Sequence, residues 1–314
     1  MNKDARVYVA GARGLVGSAI CRTLAARGYA NVLAPPRSAL ELRDRAAVDR
    51  FFKNERPEYV FMAAAKVGGI VANDTYPADF IVDNLEIQTN LIDAAYRNDT
   101  RKFCFLGSSC IYPRLAPQPL HESSLLTGPL EPTNQWYAVA KIAGIKTCQA
   151  YARQHGFNAI SVMPTNLYGP GDNFDLETSH VLPALLRKLD AAKQSGAAEV
   201  TVWGSGTPRR EFLYVDDLAD AVCFLMERYD SPEIINVGWG EDVTIAELAR
   251  LIADIVGYRG TLAFDRSKPD GTPRKLLDVG KIRALGWQAS TPLAAGIRAT
   301  YDWYLERSRP ARAG

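Results

Sequence analysis

The stretch that decides the fold reads Val7-Tyr8-Val9-Ala10-Gly11-Ala12-Arg13-Gly14-Leu15-Val16-Gly17. Its first four residues are apolar and β-prone, and they lead into glycines with GxxGxxG spacing and then into a helical pattern. Glycines at these positions allow a tight turn and let backbone N–H groups approach a pyrophosphate at the start of the helix. The order of strand, glycine loop and helix predicts a dinucleotide-binding loop, formed by Gly11, Ala12, Arg13, Gly14, Leu15, Val16 and Gly17.

Beyond this loop, β-prone runs alternate with helical patterns. We predict strands over residues 31–34, 59–64, 103–107 and 158–164, and helices over 15–27, 45–54, 84–97 and 137–155. Such alternation is typical of βαβ units, which form a parallel sheet covered by helices on both faces. The predicted fold class is α/β: a Rossmann-type doubly wound parallel sheet with a smaller mixed α/β substrate-binding domain.

The pattern loosens after residue 164, where proline, glycine and asparagine become frequent. We predict helices over 180–193, 218–228 and 294–306, strands over 200–203 and 211–215, and further elements at 234–238, 244–256 and 261–265. The predicted dinucleotide-binding domain covers 1–166 and also receives segments from about 211–237. Residues 167–314 are predicted to form mainly the substrate-binding domain, interleaved with the first.

Composition excludes several classes of function. Among 314 residues, 37 Lys and Arg face 35 Asp and Glu, so the net charge of +2 favours neither nucleic acid nor a membrane as a partner. We expect no segment that crosses a membrane, because the apolar stretch 60–72 is interrupted by Lys66 and two glycines. The five cysteines are scattered without a CxxC pair, which predicts reduced thiols, no metal site and a cytoplasmic location. They are Cys21, Cys104, Cys110, Cys148 and Cys223.

Tyr137 and Lys141 are four residues apart, a spacing that puts both side chains on one face of a helix. A nearby ammonium stabilises a phenolate, so we expect Lys141 to lower the pKa of Tyr137 from its usual value of about 10. Tyr137 is then a candidate proton donor to a carbonyl oxygen that receives hydride. The alternative is a pair on a solvated helix face.

The choice of cofactor depends on the residues after the second predicted strand. NAD enzymes usually carry Asp or Glu about 20 residues beyond the glycine loop, to bind the ribose 2′-hydroxyl. This chain has Ala34-Pro35-Pro36-Arg37 there. Arg37, together with Arg13, is suited to a 2′-phosphate through charge-assisted hydrogen bonds, so we predict NADPH as the cofactor. The alternative is a solvated arginine.

The strand predicted over 103–107 runs into small polar residues at the sheet edge where substrate should lie. We expect Ser108 to hydrogen-bond the substrate carbonyl while Tyr137 supplies the proton and Lys141 also holds the nicotinamide ribose. The alternative for Ser108 and Ser109 is that they only form a turn.

These motifs resemble those of the extended short-chain dehydrogenase/reductase family, and the match covers almost the whole chain. The glycine loop and YxxxK identify the family in general. Three stretches are more specific: residues 66–73 (KVGGIVAN), residues 108–113 (SSCIYP) and residues 268–278 (KPDGTPRKLLD). They resemble the branch that epimerises and reduces a GDP-linked 4-keto sugar.

The resemblance implies NADPH-dependent 3,5-epimerisation and 4-reduction of GDP-4-keto-6-deoxy-D-mannose to GDP-L-fucose. It implies Cys110 as the base and His180 as the acid of epimerisation, because inversion next to a keto group needs one group to remove a proton and another to return one. Ser179 is a candidate N-cap of the helix that His180 opens, whose amino terminus would perturb the pKa of His180. Further cofactor contacts implied are Leu106, Gly107, Ser108, Ser109, Pro164, Thr165, Asn166, Leu167 and His180.

The resemblance also implies residues that hold the GDP-sugar. Lys188 and Arg210 would meet phosphate and Trp203 would pack near the nucleotide, with Asp270 also in contact with substrate. Arg187 precedes Lys188, and the sequence leaves open which of the two reaches phosphate. Surface, sheet-packing and turn roles are the alternatives for these residues. The helices over 84–97 and 137–155 resemble the pair that forms a homodimer interface in this family.

Two competing functions remain at this point. A nucleotide-sugar 4-epimerase or 4,6-dehydratase would use a tightly held oxidised cofactor, although Cys110 and Ile111 follow the strand serines where dehydratases tend to carry an acidic residue. A non-catalytic NADP-sensing protein would keep the glycine loop but lack the tyrosine or the lysine, and this chain has both. The residues themselves do not distinguish guanine from other bases.

Overall fold

The structure is a computed structural model that describes residues 1–176, 178–268 and 270–308. In the first half, apolar strands alternate with helices that return over the sheet, as the sequence pattern predicts. The elements in chain order are β1 (Val7–Ala10), α1 (Leu15–Ala26), β2 (Val32–Leu33), α2 (Arg45–Glu55), β3 (Tyr59–Met62), α3 (Ile70–Thr75), α4 (Pro77–Arg97), β4 (Lys102–Leu106), α5 (Gln135–His155) and β5 (Ala159–Pro164).

The second half has shorter strands and more loops. Pro269, which belongs to one of the specific motifs, and residues 309–314 of the predicted second domain lie outside the described residues. The elements are β6 (Asn166–Tyr168), α6 (Val181–Ser195), β7 (Glu199–Trp203), β8 (Arg209–Arg210), β9 (Phe212–Tyr214), α7 (Val215–Arg228), β10 (Ile235–Val237), β11 (Val243–Thr244), α8 (Ile245–Val256), β12 (Thr261–Asp265), β13 (Arg274–Lys275), α9 (Gly280–Ala284) and α10 (Leu293–Ser308).

Six parallel strands form the central sheet, in the order β10-β5-β4-β3-β1-β2. The chain builds outward from β1 in both directions, first to β2 and then through β3, β4 and β5. Strand β10 comes from the second half and pairs with β5. This arrangement confirms the predicted Rossmann-type parallel sheet. Ligands of such sheets bind beyond the carboxyl ends of the strands, where the strand order reverses.

Two apolar cores support the molecule. The larger one surrounds the six-stranded sheet and includes buried residues of α1, α4, α5 and α7. The smaller one lies between α6, α8 and α10 and the short strand β7, with Leu186, Leu248, Ile252 and Ile297 fully buried. The domain limits predicted from the sequence remain a prediction.

Two predicted elements differ from the observed ones. Helix α4 begins at Pro77 rather than at residue 84, because proline is well suited to the first turn of a helix, where its missing N–H is not needed. The strand predicted over 211–215 is shorter and corresponds to β9 over Phe212–Tyr214, because α7 begins at Val215, and the separate strand β8 ends before Glu211. The Glu211 carboxylate accepts hydrogen bonds from the N–H groups of Gly240 and Leu277, at 2.7 and 3.0 Å.

Helix α5, which carries Tyr137 and Lys141, approaches the sheet closely at Gly144. A Cβ atom at this position would lie 2.3 Å from the Phe105 ring on β4 and 2.8 Å from the Gln88 side-chain oxygen on α4. Gln88 in turn donates a hydrogen bond to the Ala140 carbonyl at 2.6 Å. The lack of a side chain at Gly144 therefore sets the distance between α5 and β4.

We expect Gly144→Ala to destabilise the protein by about 1–3 kcal/mol, because the new methyl group overlaps a buried ring. In a Phe105→Leu background the overlap with the ring is relieved and the contact with Gln88 remains, so the same substitution should cost about 1 kcal/mol less than in the unaltered protein. Urea unfolding of the four proteins measures both effects. An equal loss in both backgrounds would show that the Phe105 contact does not set the helix position.

Candidate active site

The glycine loop joins β1 to α1 at the edge where the strand order reverses. The Gly14 N–H donates to the Gly11 carbonyl at 3.0 Å, and the Ser18 N–H donates to the Gly14 carbonyl at 2.9 Å. A Cβ at Gly17 would lie 2.1 Å from the Gly11 carbonyl oxygen, so only glycine permits the helix to start this close to the loop. The resulting cradle fits the pyrophosphate of a dinucleotide at a helix amino terminus.

Arg37 lies in the turn after β2. Because β1 and β2 are parallel, this turn is at the same edge of the sheet as the glycine loop after β1. Its side chain is 74% exposed, and its Nε donates to a Glu41 carboxylate oxygen at 2.9 Å. Arg13 is also exposed within the loop. Both guanidinium groups are therefore accessible to an anion, and the prediction that they bind a 2′-phosphate remains a prediction.

The other predicted cofactor contacts follow the neighbouring strands β4 and β5. Leu106 ends β4, and Gly107, Ser108 and Ser109 come directly after it, whereas Pro164 ends β5 and Leu167 lies in β6. The Thr165 hydroxyl and the Asn166 amide both donate to the Glu211 carbonyl, at 3.3 and 2.8 Å. The fold thus brings these residues to one edge of the sheet.

Tyr137 and Lys141 occupy one face of α5, as their spacing predicts. The Lys141 ammonium is buried, donates to the Leu106 carbonyl at 2.7 Å, and lies 5.7 Å from the centre of the Tyr137 ring. Burial raises the pKa of Tyr137, and it lowers the pKa of Lys141 to about 8. The expectation that Lys141 lowers the pKa of Tyr137 is therefore wrong. Burial has the larger effect on this pKa, and the Lys141 ammonium is hydrogen-bonded to the Leu106 backbone carbonyl instead.

Cys110 lies in a short 3₁₀ turn after β4, with its side chain almost entirely buried. The Cys110 N–H donates to the Ser108 hydroxyl oxygen at 3.3 Å, which fixes the turn. Burial raises the pKa of the Cys110 thiol, while the nearby Lys275 and Lys141 ammonium groups and a hydrogen bond with Ser108 lower it. The unligated thiol is therefore mainly protonated at neutral pH.

His180 is itself the N-cap residue of α6, so the prediction that Ser179 occupies the N-cap is wrong. The chain before His180 is held against another specific motif, because the Gly69 N–H donates to the Thr178 carbonyl at 3.2 Å. His180 retains solvent exposure, yet the protein packed around it and the positive charge of Lys275 both lower its pKa. Its imidazole is mainly neutral.

Lys275 connects these groups and was not assigned from the sequence. It is half-buried on β13, in register with Arg210 on the parallel neighbour β8. Its charge acts on both Cys110 and His180, and it lines the same small cavity as Cys110. The signal was present in the motif over 268–278, whose second lysine received no role.

The residues predicted to hold the sugar nucleotide form two groups. The Lys188 ammonium lies 4.9 Å from the centre of the Trp203 ring, which is 55% exposed. The Asp270 carboxylate accepts hydrogen bonds from the Ser205 N–H and hydroxyl, at 2.7 and 2.8 Å, and its charge acts on Arg210. An exposed indole beside an ammonium does not fit a packing role for Trp203.

Arg187 and Lys188 differ in what they contact. The Arg187 guanidinium donates to the Phe174 carbonyl at 3.0 Å, whereas Lys188 points to Trp203. Arg187 thus holds the preceding loop, and which of the two residues reaches phosphate remains a prediction.

Comparison with known proteins places this site in a family. The model of the NAD dependent epimerase/dehydratase family matches residues 7–238. Probable GDP-L-fucose synthase 1 of Oryza sativa subsp. japonica is 61% identical over 306 residues, which cover 97% of this chain and 93% of that protein. The chain belongs to the GDP-L-fucose synthase branch of the epimerase/dehydratase family.

Two further members of this branch extend the comparison. GDP-L-fucose synthase of Escherichia coli (strain K12) is 57% identical over 310 residues, covering 96% of this chain and 97% of that protein. A solved GDP-L-fucose synthetase from Naegleria fowleri, bound to NADP, has a TM-score of 0.90 and 31% identity, covering 98% of this chain and 96% of that one. These matches cover nearly the whole chain, so the similarity includes both apolar cores.

The burial of Lys141 predicts a pH dependence of stability. The pKa of Lys141 is about 8 in the folded protein against an ordinary value of 10.5, so between these values the unfolded chain binds more protons and the free energy of unfolding rises with pH. We expect the free energy of unfolding of the unaltered protein, minus that of Lys141→Met, to increase by about 1 kcal/mol per pH unit above about pH 8. Urea unfolding at several pH values measures it.

The matched control is Lys146→Met, which removes an exposed lysine from the same helix. Its difference from the unaltered protein should not change over this range. If the free energy of unfolding of the unaltered protein minus that of Lys141→Met stays constant or decreases as the pH rises, the burial argument is contradicted.

Proposed function

We propose that this chain converts GDP-4-keto-6-deoxy-D-mannose to GDP-L-fucose by NADPH-dependent 3,5-epimerisation and 4-reduction. The observation that carries the proposal is electrostatic proximity. Cys110, when it is a thiolate, acts electrostatically on both Tyr137 and Lys141, and the ammonium of Lys275 acts on both Cys110 and His180. This coupling supports a proton-exchanging pair and a reducing pair that act on one substrate, and the family relatives at 57% and 61% identity are GDP-L-fucose synthases by name.

Epimerisation begins with a proton on C3 or C5 that the 4-keto group makes acidic. Removal by Cys110 requires its thiolate, and the ammonium groups of Lys275 and Lys141 favour that form against the larger effect of burial. Return of a proton to the opposite face by His180 requires its imidazolium. A negatively charged substrate group bound beside Lys275 would favour this form, because it would offset the charge that lowers the pKa of His180.

Reduction uses the second pair. Tyr137 stays protonated because burial raises its pKa, so it arrives at the C4 oxygen as a phenol able to donate. Ser108, whose hydroxyl oxygen accepts a hydrogen bond from the Cys110 N–H in the turn after β4, hydrogen-bonds the same substrate oxygen. Lys141 is fixed through the Leu106 carbonyl and supplies positive charge next to the developing alkoxide. Bound NADPH supplies the hydride to C4.

The substrate and cofactor contacts follow the same reasoning. The glycine cradle, with Gly17 pressed against Gly11, accommodates the cofactor pyrophosphate, and Arg37 and Arg13 meet the 2′-phosphate. Lys188 and Arg210 take the substrate diphosphate, while the exposed Trp203 ring packs near the nucleotide. Asp270 holds the turn beside Arg210.

We also propose a homodimer formed through α4 and α5. These helices pack against each other and expose Val82, Trp136 and Val139, each more than two-fifths accessible. In the described part of the chain, no helix is both long and apolar enough to cross a membrane. The five cysteines are free thiols, which supports a cytoplasmic location.

Incubation of the purified protein with GDP-4-keto-6-deoxy-D-mannose and NADPH tests the reaction. We expect NADPH oxidation equal to the substrate consumed, and GDP-L-fucose as the product by NMR. Conversion without net NADPH oxidation would instead indicate a 4-epimerase or a dehydratase, and binding of NADPH without conversion would indicate a sensing protein.

Because different residues are proposed for epimerisation and for reduction, substitutions should impair the two steps separately. Cys110→Ser and His180→Gln should lower incorporation of solvent deuterium at C3 and C5 by about 10²–10⁴-fold, because each removes a proton-transfer group. Tyr137→Phe should lower NADPH oxidation by a similar factor while deuterium incorporation persists. Equal deuterium incorporation by all three variants would rule out these roles.

A further inference from the structure

A chain of ion pairs starts at Arg37. The role inferred for these ion pairs rests on the proposed use of NADPH. The Nε of Arg37 donates a hydrogen bond to Glu41, and Arg37 makes no other side-chain hydrogen bond within the part of the chain that the structure describes. Its two terminal amino groups therefore face solvent beyond the end of β2. They are positioned to receive a phosphate, with the Glu41 carboxylate directly behind them.

Glu41 is held much more firmly than Arg37. The backbone N–H and the Nε of Arg43 both donate to one carboxylate oxygen at 3.1 Å, and an Nη of Arg43 donates to the other at 3.2 Å. These hydrogen bonds lower the pKa of Glu41 to about 2, so the carboxylate remains ionised at neutral pH. Arg43 also donates to Asp83 at 3.0 Å, which anchors it to α4.

The backbone keeps these charges at fixed separations. The N–H groups of Ala39 and Leu40 donate to the Pro36 carbonyl at 2.9 and 3.1 Å, and the Leu40 side chain is buried. The turn that carries Arg37 and Glu41 is thus closed on itself and attached to the core. The bonds of Glu41 to Arg43 therefore keep its carboxylate next to the position of Arg37.

This arrangement acts differently on the two cofactors. A 2′-phosphate carries nearly two negative charges, and it meets the positive charge of Arg37 with the negative charge of Glu41 only a few ångströms behind it. Arg43 in turn offsets Glu41. NADH presents a neutral hydroxyl at the same place, so its affinity depends little on either charge.

We propose that Glu41 and Arg43 tune the cofactor preference of this chain in opposite directions. The Glu41 carboxylate weakens the preference for NADPH over NADH that Arg37 confers, and the Arg43 guanidinium restores part of it. Both act through charge on a site formed by Arg37, without forming the phosphate contact themselves.

The test is the ratio of the NADH and NADPH dissociation constants, measured by titration calorimetry on the full chain at low ionic strength. Glu41→Gln keeps an oxygen that accepts hydrogen bonds but removes the charge, and it should raise the preference for NADPH by about two- to tenfold. Arg43→Gln should lower the preference by a similar factor. Added salt should shrink both changes, because it screens exposed charges.

The opposite signs separate an effect of charge from general damage to the turn. Arg45→Gln is the matched control, because Arg45 lies two residues beyond Arg43 and pairs with Asp93 instead, at 2.9 Å. It should leave the ratio unchanged. If Glu41→Gln and Arg43→Gln move the ratio in the same direction, or leave it unchanged, the inference is overturned.

Arg37→Gln distinguishes this failure from failure of the proposed cofactor. If Arg37→Gln abolishes the preference while the other two variants have no effect, NADPH use stands and the roles of Glu41 and Arg43 are rejected. If Arg37→Gln leaves the preference unchanged, the 2′-phosphate site itself is wrongly assigned and the inference is overturned with it.

Discussion

The buried carboxylate of Glu211 is the interaction on which the geometry of the cleft depends. It has no solvent exposure, and it accepts backbone hydrogen bonds from the segments that follow β10 and β13. Its own carbonyl accepts hydrogen bonds from Thr165 and Asn166, after β5. Without this carboxylate, the segments after β10 and β13 would lose the acceptor of two backbone N–H groups. Arg210 and Lys275 flank it on paired strands, so their positions follow from it.

Burial has more influence than pairwise charge on the protonation of this cleft. Tyr137 and Cys110 are both kept protonated and Lys141 is made less basic, although opposite or like charges lie near each of them. The ammonium of Lys275 opposes burial at Cys110 but acts in the same direction as burial at His180. Lys275 therefore lowers the pKa of both groups, and it favours the thiolate of Cys110 and the neutral imidazole of His180.

The sequence predicted the fold, and the shared helix face of Tyr137 and Lys141, because local patterns encode both. Alternating strands and helices predicted the sheet, and the YxxxK spacing predicted that Tyr137 and Lys141 share a face. The pKa of Tyr137 could not be predicted this way, because burial depends on how closely α5 approaches β4. Lys275 and Glu211 were missed for a related reason, since their importance comes from contacts between segments far apart in the chain. The early start of α4 was readable in Pro77, a local signal.

The seclusion of Cys110 has a consequence for the durability of the protein. Oxidants such as peroxide attack the thiolate of an accessible cysteine, and they can drive it irreversibly to the sulfinic and sulfonic acids. Cys110 is only 6% exposed, and burial keeps its thiol mainly protonated in the unligated protein. The reactive thiolate is thus scarce in the unligated protein. The burial that raises the pKa of this thiol therefore also protects the sulfur from oxidation.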